Sequence, residues 1–186
     1  MKLYIKNMVC GRCEVAVKAE LEKMELSVIS IKLGEVELSR ELKESEIESL
    51  ANNLKNLGFE MLEDEISKTI EQIKNGIIDL VHYRNEKIKI NLSTYLSEHL
   101  SQDYSTLSKL FSEIEGITIE HYFIAQKIEK AKELLVYNEF TLSEIAIKLN
   151  YSNVAHLSNQ FKKVTGFTPT YFKKLKENTR KQIDSL

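Results

Sequence analysis

The feature that most constrains this fold is an internal repeat, because residues 141–174 occur a second time, in weaker form, 50 residues earlier. The spacing holds without a gap, so the two copies are expected to be the same supersecondary unit. The residue pairs that match at this spacing are Leu92 and Leu142, Leu107 and Leu157, Ser108 and Ser158, Phe111 and Phe161, Gly116 and Gly166, and Thr118 and Thr168.

The second copy begins with signals for a short helix. Thr141 and Glu144 have the spacing of a capping box, in which each side chain accepts a hydrogen bond from a backbone N–H group at the helix start. The predicted helix has one apolar face, and Asn150 follows it. Asparagine tolerates the left-handed conformation found at helix ends. The residues of that face are Leu142, Ile145, Ala146 and Leu149.

A second helix is predicted directly afterwards, with Ser152 as its cap and Gly166 at its end. Leu157 and Phe161 point inward, and the outward face is polar and basic. Pro169 at a first helical position opens a third helix. Two short helices joined by a tight polar turn are typical of a helix-turn-helix, and the alternative is an ordinary helical bundle.

A long helix is predicted between the copies, over residues 119–137, because apolar residues recur there at helical spacing. Two helix-turn-helix units joined by one long helix resemble the AraC/XylS-type DNA-binding domain of bacterial transcription regulators. The resemblance covers residues 91–174 and implies an all-α domain, double-stranded DNA as the partner and transcription regulation as the function. Its signature residues here are Ile145-Ala146, Leu149, Leu157-Ser158, Phe161-Lys162-Lys163 and Gly166-Phe167-Thr168-Pro169.

The resemblance places the base contacts of the second unit on its second helix. Asn159 can form two hydrogen bonds with adenine, while Val154 and Ala155 can meet a thymine methyl group. Lys162 and Lys163 are expected to hold phosphates. The family often has arginine where Asn159 stands, so guanine is not expected there. The expected base contacts of this unit are Val154, Ala155, Ser158 and Asn159.

The first unit departs from this pattern. Its second helix should start after Asp103, but Ser112-Glu113 stand where the second unit has its paired lysines, and Glu115 follows. Carboxylates repel phosphates, so this unit is expected to contribute less to DNA affinity than the second. The residues that it would present to DNA are Ser105, Thr106, Ser108 and Lys109.

Charge is distributed unevenly along the chain. Residues 1–66 carry a net charge of −5, residues 67–140 carry −2, and residues 141–186 carry +5. Because affinity for nucleic acid depends on neutralising phosphates, only the C-terminal quarter is suited to binding nucleic acid.

His156 is either a phosphate contact or a packed residue. A basic run beside the second unit is expected to add phosphate contacts: Lys173, Lys174, Lys176, Arg180 and Lys181.

The first 64 residues have a different pattern, in which short alternating segments are separated by two helical ones. The predicted order is βαββαβ, so the expected fold is an α+β ferredoxin-like domain over residues 1–64, followed by the all-α domain. Strands are predicted over residues 2–6, 28–31, 35–38 and 58–62.

This domain resembles the heavy-metal-associated domains of copper chaperones and metal-exporting ATPases. Met8-x-Cys10-x-x-Cys13 after the first strand and Leu57-Gly58-Phe59 near the end carry the resemblance. The glycine that usually precedes the methionine is Asn7 here, and Val9 replaces a small polar residue. Neither change removes a ligand. By this resemblance Met8 is a core residue beneath the loop.

Cys10 and Cys13 are the predicted metal ligands. Thiolates select Cu(I) first, or Zn(II) and other thiophilic ions, and two sulfurs suit a linear Cu(I) site. A tetrahedral zinc site needs two further ligands, such as those of a second subunit. The helix start and Arg12 are expected to lower the thiol pKa. The alternatives are a structural pair of reduced cysteines and a redox-active CxxC.

A connecting helix is predicted over residues 65–86, ahead of the DNA-binding domain at residues 87–186. Its apolar residues step by four and three, which is the spacing of a heptad seam. One interpretation is a dimerisation or signal-transmitting helix, with a homodimer formed through residues 66–80. The other is a connector helix docked on its neighbours, since so short a seam is marginal as a lone coiled coil. The seam residues are Ile66, Ile70, Ile73, Ile77 and Leu80.

Composition and residue patterns reduce the number of protein classes to be considered. No apolar run reaches membrane-spanning length and no leader opens the chain, so a cytoplasmic protein is expected. No clustered His, Asp or Ser residues support catalysis, so no enzyme is expected. The favoured function is a DNA-binding regulator that responds to a soft metal ion. The alternatives are a metal-trafficking protein, an AraC-type regulator whose CxxC is not a sensor, and a thiol oxidoreductase.

Overall fold

The computed structural model describes residues 1–83 and 91–174. The chain divides into two compact units, Met1–Gly76 and Ile77–Leu186. No helix in the described residues is long and apolar enough to cross a membrane. Three residues of the predicted basic run, Lys176, Arg180 and Lys181, lie outside the described residues, as does the end of the predicted connecting helix at residues 84–86.

The N-terminal unit begins with the predicted βαββαβ order. Its four strands form one sheet in the order β2-β3-β1-β4, and every neighbouring pair is antiparallel. In the register, Leu3 lies opposite Val36 and Ile5 lies opposite Met61. The elements are β1 (Lys2–Lys6), α1 (Gly11–Lys23), β2 (Val28–Lys32), β3 (Glu35–Leu38), α2 (Glu44–Asn56) and β4 (Glu60–Leu62).

The core of this unit follows from the two periodicities in its sequence. Alternate residues of β1 and β3 face one side, and residues three or four apart on α1 and α2 meet them. Met8 is fully buried in this core, as the resemblance implied. The other buried residues are Leu3, Ile5, Val17, Leu21, Leu26, Val36, Leu38, Leu50, Leu54 and Phe59.

The connecting helix, α3, spans Glu65–Ile78 and continues as a π-helical turn over Asp79–Tyr83. Of the predicted seam, only Ile66 is exposed, at 49%. The other four residues are buried within a single copy of the chain, which favours the docked helix over a free dimerisation seam. These four are Ile70, Ile73, Ile77 and Leu80.

The described part of the C-terminal unit after residue 90 consists of six helices. The N-caps of the two units recur 50 residues apart, since Asn91 matches Thr141 and Asp103 matches Asn153. Thr118 is the N-cap of the long helix between the units. The helices are α4 (Leu92–Leu100), α5 (Tyr104–Glu115), α6 (Ile119–Tyr137), α7 (Leu142–Lys148), α8 (Val154–Thr165) and α9 (Pro169–Lys174).

Helices α7, α8 and α9 pack on the second half of α6. Leu157 and Phe161 are fully buried, as the sequence pattern predicts, and Phe161 meets Phe172 edge to face at 5.5 Å between ring centroids. The same cluster contains Ile128, Ala131, Leu135, Ile145, Ala146, Leu149 and Tyr151. This core fixes α8 on the domain and leaves its opposite face exposed.

Candidate nucleic-acid interface and cysteine pair

Helix α7 begins with the predicted capping box. The backbone N–H of Thr141 donates to the Glu144 carboxylate at 2.7 Å, and the N–H of Glu144 donates to the Thr141 hydroxyl at 3.3 Å. Asn150 has the predicted left-handed conformation, with φ of +55°. The turn then returns the chain inward, because the N–H of Tyr151 donates to the Ala146 carbonyl at 2.8 Å.

The cap of α8 corrects one expectation. Asn153, not Ser152, is the N-cap, and its side-chain oxygen accepts from the N–H of His156 at 2.8 Å. The Ser152 hydroxyl instead meets Nδ1 of His156 at 3.1 Å. His156 is exposed, and its ring lies edge-on to Tyr151 at 5.1 Å. Gly166 ends the helix at φ of +80°, as predicted.

The expected base-contacting residues lie along α8 with different exposure. Ala155 and Asn159 are exposed and Ser158 is half-buried. Val154 is also half-buried, because it packs against the core beneath α8. Residues four apart share a helix face, so Ala155 and Asn159 form the most accessible pair for a base edge.

The expected phosphate contacts extend this surface. Lys162 and Lys163 are exposed in the last turns of α8. Among the described residues, neither lysine takes part in an ion pair. Lys173 and Lys174 are exposed on α9.

A buried lysine supports the turn before α8, which sequence reasoning missed. Lys127 on α6 points its Nζ atom at the Tyr151 ring, 3.7 Å from the centroid. The Tyr151 hydroxyl donates to Oε1 of Gln160 on α8 at 2.7 Å. Burial lowers the pKa of Lys127 to about 8. A lysine on the apolar face of a predicted helix, between Ile124 and Ala131, is the signal that could have revealed it.

The first unit has the same backbone plan with different chemistry. Asp103 caps α5, and its carboxylate accepts from the N–H of Ser105 at 3.0 Å. Ser105, Thr106 and Lys109 are exposed, as is Glu113. Lys109 Nζ lies 4.0 Å from Oε1 of Glu113, so a carboxylate stands beside the positive charge of this unit. The remaining predicted contact, Ser108, is half-buried.

Cys10 and Cys13 are brought together where the loop after β1 becomes α1. Cys10 is the residue before the first helical turn, and the N–H of Cys13 donates to its carbonyl at 2.9 Å. The two Sγ atoms are 3.4 Å apart, at hydrogen-bond distance for a thiol pair. Both cysteines are free and partly buried.

The two thiols have opposite pKa shifts, so the expectation of a lowered pKa is wrong for Cys13. Burial alone would raise the pKa of Cys10, but the Cys13 N–H and thiol and the Arg12 N–H and charge outweigh it. For Cys13, burial dominates and Cys10 adds to it, so its pKa is raised. Cys10 is therefore the more readily ionised sulfur.

The thiol pair is the chemical core of this loop. Within the described residues, no cluster of three or more His, Cys, Asp or Glu side chains could hold a metal ion, so the pair has no third protein ligand of these types. A thiolate–zinc bond is about 2.3 Å long. Two sulfurs that are 3.4 Å apart can therefore both bind one metal ion at that bond length. A linear S–metal–S arrangement would require the two sulfurs to move roughly 1 Å further apart.

A family model described as a helix-turn-helix domain matches residues 96–175. An HTH-type transcriptional regulator of Bacillus subtilis (strain 168), YtdP, is 25% identical over 162 residues, which are 82% of this chain and 21% of that protein. An HTH-type transcriptional regulator of Staphylococcus aureus (strain MSSA476) is 35% identical over 78 residues, 42% of this chain and 10% of that protein. The chain thus spans about a fifth of the length of the first relative and a tenth of the second.

Among solved structures, the C-terminal domain of AraT, a response regulator from Geobacillus stearothermophilus, superposes with a TM-score of 0.52 at 22% identity. The match covers 64% of this chain and 94% of that one. This likeness concerns the fold. Together with the two helix-turn-helix units joined by α6, these matches show a helix-turn-helix domain in the C-terminal half of the chain.

Proposed function

We propose that this protein is a sequence-specific, DNA-binding transcription regulator of the AraC type. One observation carries the proposal: α8 exposes Ala155 and Asn159 beside two lysines, Lys162 and Lys163, that make no ion pair in the described chain. A helix with this face combines base readout with phosphate binding. The HTH-type relatives support this function.

In this proposal α8 enters the major groove. The Asn159 amide pairs with an adenine edge, and the Ala155 methyl group meets a thymine methyl. The two lysine ammonium groups bind phosphates and supply affinity that does not depend on sequence. The buried contact between Lys127 and Tyr151 holds the turn from which α8 starts, so it positions the reading helix without touching DNA.

The N-terminal unit is assigned to the ferredoxin-like fold on its βαββαβ order and its sheet order β2-β3-β1-β4. We infer that it is a heavy-metal-associated domain whose Cys10 and Cys13 hold one soft ion, Cu(I) first. The donor set supports this inference, since two thiolates select thiophilic ions. The ion would act as a signal that changes the state of the loop.

A metal signal requires coupling between the loop and the reader. Metal must favour one arrangement of the protein over another, because equal affinity for both would transmit nothing. Couplings of about 1–3 kcal/mol are ordinary, which corresponds to a change of about 5- to 150-fold in DNA affinity. The same factor would describe how DNA changes metal affinity.

The experiment is a metal titration of the reduced full chain with DNA binding followed in parallel. DNA is first selected from random duplexes, and Cu(I) and Zn(II) are then titrated in separate series. Wild type should take up one ion per chain and change its affinity for the selected duplex. The Cys10→Ser, Cys13→Ser protein is expected to bind that duplex with no metal response.

The outcomes separate the parts of the proposal. No enrichment of any duplex would overturn the regulator. Equal metal uptake by wild type and the double variant would overturn the metal site. Uptake that leaves DNA affinity unchanged would identify a regulator whose cysteines are not a sensor, and uptake without any DNA binding would favour metal trafficking.

A further inference from the structure

The start of the cysteine loop is held by a carboxylate from the connecting helix. The backbone N–H of Asn7 donates to Oε1 of Glu71 on α3 at 3.2 Å. Glu71 is only 7% exposed, so this carboxylate is a buried group in a defined position. Asn7 lies three residues before Cys10, and both Asn7 and Glu71 belong to the N-terminal unit.

Asn7 has a conformation that makes this contact possible. Its φ is +71°, in the left-handed region that asparagine tolerates better than most residues. Its Nδ2 atom also donates to the Gly58 carbonyl at 3.0 Å. A glycine at this position would adopt the same backbone but would lack the tie to Gly58. The departure from the usual glycine therefore adds a contact at the base of the loop.

Two further contacts fix α3 against the sheet on either side of Glu71. One turn earlier, Lys68 places its Nζ atom over the Tyr4 ring, 5.6 Å from the centroid. One turn later, Asn75 lies so close to Gly34 that a Cβ there would fall 2.0 Å from its Nδ2 atom. The position of Glu71 is thus set by the docking of the whole helix.

We propose that Glu71 is a positioning residue that holds the entry of the Cys10–Cys13 loop and links the loop to α3. Its role as a link rests on the metal response proposed above. Helix α3 leads on along the chain, and its last residues, Ile77 and Ile78, belong to the C-terminal unit. Any rearrangement of the loop that moves the Asn7 N–H must break or shift its bond to α3.

Glu71 can hold the loop because losing its hydrogen bond with the N–H of Asn7 costs free energy. A hydrogen bond from a backbone N–H to a carboxylate is stronger than one between neutral groups, so losing the bond from Asn7 to Glu71 is costly. The helix therefore favours the loop conformation that keeps the N–H of Asn7 on Glu71. Glutamine retains an acceptor at this position without the charge, while leucine removes the acceptor.

The test uses the full chain with Glu71→Leu, Glu71→Gln and a matched control, Glu63→Leu, which removes an exposed carboxylate just before the same helix. Three quantities are measured: hydrogen exchange of the Asn7 amide, the rate of alkylation of the two cysteines without metal, and the ratio of DNA affinities with and without Cu(I). The first two need no metal.

Glu71→Leu should speed Asn7 exchange by about tenfold or more, change cysteine alkylation several-fold and bring the affinity ratio towards one. Glu71→Gln should fall between this variant and wild type, and Glu63→Leu should match wild type. If Glu71→Leu does not fold, the glutamine variant alone decides. Wild-type exchange and alkylation in a folded Glu71→Leu would overturn the positioning role. Where only Glu71→Gln folds, wild-type values in that variant would overturn it.

The link is tested separately. If wild type shows a metal-dependent affinity ratio and the Glu71 variants keep it in full, Glu71 is not the link. If wild type itself shows no metal response, the proposed sensing fails and the link fails with it. Exchange and alkylation still decide the positioning role in that case.

Discussion

The two helix-turn-helix units share a backbone plan but carry opposite charge. Residues 103–116 contain one lysine and three carboxylates, a net charge of −2, whereas residues 153–166 contain two lysines and no carboxylate, a net charge of +2. The buried positions nevertheless coincide, with Leu107 and Phe111 matching Leu157 and Phe161. The fold depends on caps and buried residues, so the exposed face is free to change its chemistry.

The aromatic packing of the two units makes the same point. Phe111 meets Tyr122 at 5.7 Å between ring centroids, and Phe161 meets Phe172 at 5.5 Å. The second pair lies 50 positions after the first in the chain. The helix-ending glycines also match, with φ of +70° at Gly116 and +80° at Gly166. The difference between α5 and α8 is therefore one of surface chemistry, and we expect it to appear in DNA binding.

The largest expected effect comes from giving the second unit the charge pattern of the first. Lys162→Ser, Lys163→Glu should lower DNA affinity by about 100-fold or more at physiological salt, because two phosphate contacts are lost and a repelling carboxylate is added. The slope of log affinity against log salt concentration should become shallower by about two. Both quantities follow from a binding series at several salt concentrations.

The matched control is the reverse exchange, Ser112→Lys, Glu113→Lys, which gives α5 the paired lysines. It should raise affinity or leave it unchanged, and it should not weaken it. If the substitutions in α5 proved more damaging than those in α8, the assignment of α8 as the main reader would be wrong.

Much of this comparison was accessible from sequence, because local signals set the helix ends. The capping box at Thr141 and Glu144 and the turn at Asn150 were predicted and are confirmed. The cap of α8 was assigned to Ser152 and lies at Asn153. Ser152 and Asn153 are neighbours of residue types that can each cap a helix, so the sequence alone does not decide between them.

Tertiary contacts account for the other differences. The heptad spacing of α3 predicts its apolar face correctly, but periodicity does not indicate which residues pack against that face. Lys127 was not singled out, since its burial depends on the ring of Tyr151, 24 residues along the chain. For the thiols, spacing brought the sulfurs together, but the balance of burial against hydrogen bonds decided which pKa falls.

A smaller effect is expected at the base-reading position. Asn159→Ala should relax preference at one base pair, at a cost of about 1–3 kcal/mol against the best duplex, because its amide can no longer pair with adenine. Its counterpart, Lys109→Ala, should change base preference little, since that lysine faces Glu113. Selection of duplexes with each variant measures both, and a loss of preference confined to Lys109→Ala would reverse the roles of the units.

The smallest effect concerns the two caps and their response to pH. The hydroxyl and the N–H of Ser105 donate to the Asp103 carboxylate and hold its pKa below the usual 3.8. A lowered folded-state pKa stabilises the protein above the usual value, and that contribution is lost as pH falls through the folded-state value. The Asn153 amide does not titrate, so the cap of α8 has no such dependence.

Asp103→Asn should therefore cost little near pH 6, because asparagine and aspartate cap helices about equally well. On acidification from about pH 4 towards pH 2, wild type should lose stability relative to the variant, as seen in paired thermal melts. The reciprocal change, Asn153→Asp, should introduce the same acid sensitivity into α8 and weaken DNA binding through the added negative charge at the helix start. A stability difference between wild type and Asp103→Asn that stayed constant across this range would mean that the carboxylate does not act as the cap.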